Sequence, residues 1–135
     1  MVNRKGGLIT FVKQTMSFDE VKNDKDMDEH DGVKCHMIDL KAEGKGHIRI
    51  VNLYVGSDTV LEKTKIWCLF QHSKSIITED LNAKSHLWGR DENVRRQLFE
   101  ELLDENNYVT LNDGRSTTYD VRGYASAIDL TYNLS

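Results

Sequence analysis

Asp80, Leu81 and Asn82 place a carboxylate and an amide two residues apart, and in an extended chain that spacing puts both side chains on one face. A carboxylate held this way can orient a water or a metal ion, and an amide beside it can hydrogen-bond a phosphate oxygen. The same pair also suits an Asx turn and helix cap after a strand, and spacing alone leaves both readings open. Other chemistry-bearing residues give weaker signals. Asp19, Glu20, Asp24, Asp26, Asp28, Glu29 and Asp31 crowd one segment against Lys22 and Lys25, so this stretch accounts for the chain's formal charge of -4. It lacks the glycine and terminal glutamate that a calcium loop needs at fixed offsets and reads as a solvated loop. Cys35 and Cys68 have no CxxC or histidine partner spacing, so they are read as reduced, buried thiols rather than a disulfide framework or zinc site.

These residues need elements to position them. The 135 residues, 39% hydrophobic and 30% charged, with a mean hydropathy of -0.56, suit one globular domain over 1–135. A net negative charge is the wrong sign for holding nucleic acid by bulk electrostatics alone. The longest apolar run, Ile66 to Phe70, is far below the roughly 18 residues of a membrane span, and no membrane partner is expected. Arg4 and Lys5 before an apolar stretch mimic a secretory leader, but no small-x-small cleavage site follows. The chain contains no proline.

Strands are expected at 8–13, 33–40 and 47–55, the last two joined across Glu43-Gly44-Lys45-Gly46, with all three adjacent and mostly antiparallel. A helix is expected from Thr59 to about Phe70, capped by Thr59 with Glu62, and presenting Val60, Leu61, Thr64, Trp67 and Cys68 on one face. A short strand at 74–78 leads into Asp80. Val94, Leu98 and Leu102, with Phe99 and Leu103 beside them and arginines and acids opposite, predict a second helix that Asn106-Asn107 ends. Strands at 108–112 and 126–132, with an extended segment at 116–120 between them, complete a mixed α/β, strand-rich pattern.

Five ordered blocks carry a resemblance. Gly6-Gly7-Leu8-Ile9-Thr10-Phe11-Val12 is like a "GG-V-x-I-F-V" strand, and Val51-Asn52-Leu53-Tyr54-Val55 is like "N-V-Y-x-P-P". Asp80-Leu81-Asn82-Ala83 with Leu87-Trp88-Gly89 is like "G-D-F-N-A…x-W-G", Leu98 to Asn112 like "L-x-x-L-L-x-x-N-x-L-x-x-L-N", and Ser126-Ala127-Ile128-Asp129-Leu130-Thr131 like "S-x-I-D-L-T". The chain thus resembles the endonuclease/exonuclease/phosphatase superfamily, specifically the endonuclease domain that non-LTR retrotransposons encode beside their reverse transcriptase. The resemblance implies a partial four-layered α/β sandwich, with two mostly antiparallel sheets and outer helices. It implies metal-dependent hydrolysis of DNA phosphodiesters with Mg²⁺, and a reverse transcriptase domain in the parent polyprotein. Asp80 would polarise the attacking water, Asn82 would hold the scissile phosphate, Tyr54 would contact that phosphate, and Asp129 would orient a catalytic histidine.

The pattern also departs from the family's. Glu79 stands for glycine, Leu81 for phenylalanine and Gly56-Ser57 for two prolines, and a second carboxylate beside Asp80 would repel phosphate. The family's metal-binding glutamate precedes the glycine block and its Ser-Asp-His follows the Ile-Asp-Leu-Thr block, so the chain is expected to be truncated at both ends. None of the histidines at 30, 36, 47, 72 and 86 sits where it would substitute; His86 reads as solvated or capping, and Trp88 as a packing anchor. The expectation is a fragment of a retrotransposon-type endonuclease domain that is inactive alone. The alternatives are a non-catalytic remnant that binds nucleic acid or protein, and a gene fragment without a stable fold.

Overall fold

Val33–Ala42 (β2) and Gly46–Val55 (β3) form a hairpin whose ladder runs from Ala42 opposite Gly46 to Val33 opposite Val55. Gly44 and Gly46, at φ of 69° and 77°, take the left-handed conformations that its tight turn requires. The computed structural model describes residues 8–22, 32–44, 46–56, 59–80, 91–111, 118–119, 125–126 and 129–134, the last three segments and 91–93 as backbone. Six strands make one mixed sheet in the order β1-β2-β3-β4-β8-β5: Phe18–Val21 (β1), Ser75–Asp80 (β4), Tyr108–Thr110 (β5) and Asp129–Leu134 (β8) join the hairpin. Thr118–Tyr119 (β6) pairs with Ala125–Ser126 (β7) as a two-stranded ribbon. The pairings are antiparallel except that β3 and β4 run parallel. The crossover between those two strands holds a single turn of helix, Lys63–Ile66 (α1), and a 3-10 turn, Trp67–Phe70. The fold is mixed α/β. No helix among the described residues is long and apolar enough to cross a membrane.

The sheet is two-sided by its period of two. One face carries Val33, Met37, Val51, Leu53, Val55 and Ile77, all buried. Leu61, Ile66, Leu69 and Phe70 from the crossover cover it, together with Phe99, Leu102 and Leu103 of the long helix Asp91–Glu105 (α2). Phe70 stacks edge-on against Phe99 at 5.4 Å and against Tyr108 at 5.3 Å. The Tyr108 hydroxyl and Ser75 Oγ hydrogen-bond within this core, so the phenol's polar end is satisfied where it is buried.

Several expected elements shift. Residues 8–13 form no strand; Asn52 Nδ2 donates to Ile9 O at 3.3 Å, and Thr10 Oγ1 hydrogen-bonds His36 Nδ1 at 2.8 Å, so this segment lies over the sheet rather than beside it. The place beside β2 belongs to β1, part of whose sequence reads as acidic loop. It is an exposed edge whose Asp19 pairs with Lys41 at 3.1 Å, and charge on an edge strand discourages further pairing. The helix expected from Thr59 is reduced to α1 and the 3-10 turn. Glu62 holds its N-cap position without a side-chain cap, and the tighter turn points Ile66, Leu69 and Phe70 inward while Val60, Trp67 and Cys68 are exposed. Cys68 is therefore not a buried thiol. On α2 the buried stripe is Arg95, Phe99, Leu102 and Leu103, with Val94 exposed; Arg95 lies inside because its guanidinium donates to the Thr59 carbonyl. Asn107, at φ 58°, ends this helix in the left-handed conformation, and Asn106 Nδ2 donates to Leu102 O at 2.8 Å.

Candidate functional site

The face opposite the core is organised in transverse rows. Lys34 lies opposite Tyr54, Tyr54 opposite Asp80, and Asp80 opposite Asp129. This row crosses four strands at the rim formed by the C-terminal ends of β3 and β4. One step below it, His36, Asn52, Thr78 and Thr131 form a second row in the same register. Below that the row Ile38, Ile50, Ile76 is apolar on its first three strands. The face is thus polar toward the rim and hydrocarbon toward the hairpin turn.

Strand alternation explains how the sequence places these groups. Along β4, Ser75, Ile77 and Glu79 are buried, while Ile76, Thr78 and Asp80 are half-buried on the other side. Along β3, Val51, Leu53 and Val55 anchor the core, which leaves Asn52 and Tyr54 to face outward. The second row is tied by hydrogen bonds: Thr78 Oγ1 donates to Val51 O at 3.3 Å and to Asn52 Oδ1 at 3.4 Å. His36 is held from both sides, by Thr10 Oγ1 at 2.8 Å and Glu20 Oε1 at 3.3 Å.

Of the four residues singled out in the sequence, Tyr54 and Asp80 are neighbours, and the backbone of Asp129 lies next to Asp80. Asn82 lies outside the described residues, as do His86 and Trp88. Glu79 corrects one expectation. It points to the core face at 4% exposure, so it does not stand beside Asp80 toward a phosphate; adjacent strand residues face opposite ways. Lys34, His36, Asn52 and Thr78 were not assigned to the site from the sequence. The available signal was the polar residues at 34, 36, 52 and 54, alternating with apolar ones in two strands.

The loop after Tyr54 accounts for a second departure. The Gly56 N–H donates to Gly32 O at 2.8 Å, and Thr59 N donates to Gly56 O at 3.1 Å. A proline at position 56 would have no N–H to give, so this chain ties the loop by hydrogen bond where the resembled pattern stiffens it by ring. Away from the rim, Arg49 donates two hydrogen bonds to Asp39, from Nε at 2.9 Å and an Nη at 3.0 Å. That bond holds the Asp39 carboxyl below its ordinary range and raises the Arg49 guanidinium. Burial pushes the Cys35 thiol up to about 12, with Cys68 adding to the rise.

Among the described residues no three His, Cys, Asp or Glu side chains gather as a metal site. The sequence model of the endonuclease-reverse transcriptase family matches residues 48–133. This match spans β3, β4, α2, β5 and β8, and with it Tyr54, Asp80 and Asp129. The chain belongs to that family and carries an endonuclease/exonuclease/phosphatase-like domain of the kind found in non-LTR retrotransposons. No curated protein matches it.

Proposed function

We propose that the polar half of the outer face is the surface on which this family's phosphodiester chemistry is arranged, with DNA as the substrate. The observation that carries the reading is the register of Tyr54, Asp80 and Asp129 in one row at the rim. Asp80 orients the attacking water, Tyr54 donates its phenol to the scissile phosphate, Asn82 holds a phosphate oxygen, and Asp129 orients a histidine. A hydroxyl or amide aimed at a phosphoryl oxygen stabilises the charge that develops in cleavage. Mg²⁺ is the cation the family implies, supplying charge neutralisation at the phosphoryl oxygens, and the family's name implies a linked reverse transcriptase.

Residues 1–135 belong to one such domain. The apolar row Ile38, Ile50 and Ile76 on the outer face favours a second packed sheet there, as in a four-layered sandwich. The 135-residue chain, which carries no Ser-Asp-His block, is inactive alone, because groups that act as a unit lose activity together. Incubation with supercoiled plasmid and Mg²⁺ tests this. Duplex DNA should be bound, with no nicking above the level of Asp80→Ala. Mg²⁺-dependent nicking that vanishes in both Asp80→Ala and Asn82→Ala would overturn the inactivity. Absence of DNA binding would favour a protein-binding remnant.

A further inference from the structure

The rim row begins with a cation that the resemblance gives no role. Lys34 lies opposite Tyr54 on β2 and, by the alternation of the strand, on the same face. Adjacent strands are about 4.8 Å apart, which puts the backbones of Lys34 and Asp80 about 10 Å from each other. That distance is the axial rise of about three nucleotides of one DNA strand. A lysine at this position therefore reaches the backbone within a few nucleotides of a phosphate held at Tyr54.

Electrostatics gives the position its significance. The rest of the row contains the carboxylate of Asp80 and the position of Asp129, and the chain as a whole is net negative. A carboxylate beside a phosphodiester opposes its approach. Lys34 is the cation placed in the row itself.

We propose that Lys34 is a substrate-positioning residue that holds a backbone phosphate of the DNA strand on the β2 side of Tyr54. The inference rests on the reading of this face as a DNA site. A lysine on a phosphate acts as a point charge and carries no sequence information. It extends the substrate track across β2 and offsets the acidity of the rim.

The test is equilibrium binding of fluorescent duplex DNA to the 135-residue chain in EDTA, across a salt series. Lys34→Gln should lower the slope of log K against log salt by about 0.9. Between 50 and 200 mM salt its affinity should then fall about 3.5-fold less than the unaltered chain's, on unrelated duplex sequences alike. Lys34→Arg should keep the slope, which separates loss of charge from loss of fold. Lys41→Gln, the same charge change on the same strand at the other end of the sheet, should leave it unaltered. If Lys34→Gln keeps the full slope while Tyr54→Phe weakens binding, the role of Lys34 is overturned and the DNA site stands. If the unaltered chain shows no salt-dependent binding, both are overturned.

Discussion

Tyr54 and Asp80 are partners across the parallel ladder of β3 and β4, one a hydrogen-bond donor and the other an anion, on the same face of the sheet. A polyanionic substrate meets them with opposite signs. Tyr54→Phe removes a donor to phosphate and should weaken duplex binding in EDTA by about 1 kcal/mol, roughly fivefold. Asp80→Asn removes a like charge and should tighten it under the same conditions. Equal losses in both variants would show that the face does not meet phosphate.

The Asp39 and Arg49 pair sets an acid limit on stability. Because the Arg49 hydrogen bond depresses the Asp39 carboxyl below its ordinary value of 3.8, the contribution is present above that value and is lost as pH falls through the lower, folded one. Asp39→Asn should therefore cost about 1–2 kcal/mol in urea unfolding at pH 7. At a pH low enough to protonate Asp39 in the folded chain, the two proteins should converge. A cost that persists there would assign the loss to packing instead.

The two thiols should react as different species. Cys68 is exposed, whereas burial raises Cys35 to about 12 and leaves it protonated and shielded at pH 8. A thiol reagent should modify one cysteine quickly in the native protein and the second only in denaturant. Cys68→Ser should abolish the fast phase, and retention of that phase would contradict the assignment.

The loop behind Tyr54 should resist the residue that the family pattern prefers. Gly56→Pro deletes the donor to Gly32 O and should destabilise the chain by about 1–3 kcal/mol. Gly32→Ala should also destabilise it, since Gly32 has φ 75° and an added Cβ would lie 1.9 Å from Thr59 Oγ1. Thermal unfolding of both variants checks the pair; a raised midpoint for Gly56→Pro would mean that the loop gains more from the ring than from the bond.

Much of this arrangement was legible in the residues. The hairpin of β2 and β3 follows from two β-branched runs around Gly44 and Gly46, and α2 from its apolar spacing and Asn106-Asn107 stop. The strand at Phe18–Val21 was not legible, because an exposed edge strand is under no pressure to alternate apolar and polar residues, and Asp19 and Glu20 read as loop. Leu8 to Lys13 misled for the converse reason: apolar and β-branched residues suit a strand, but β1 occupies the edge of β2. Tyr54 and Asp80 came from motif blocks. Their shared row with Lys34 came from register, which depends on long-range pairing that local sequence does not specify.

The turn at Gly44 has a reach beyond its own neighbourhood. Lys34 lies eight residues along β2 from Ala42, at about 3.4 Å per residue some 27 Å away. The turn meters the hairpin as a pawl meters a ratchet, one tooth per residue. A single residue inserted between Ala42 and Gly46 would advance β2 by one tooth and carry Lys34 out of line with Tyr54, with every atom at the rim unaltered in composition. Lesions in that turn should therefore be scored as site variants, and a screen confined to residues near Asp80 would miss them.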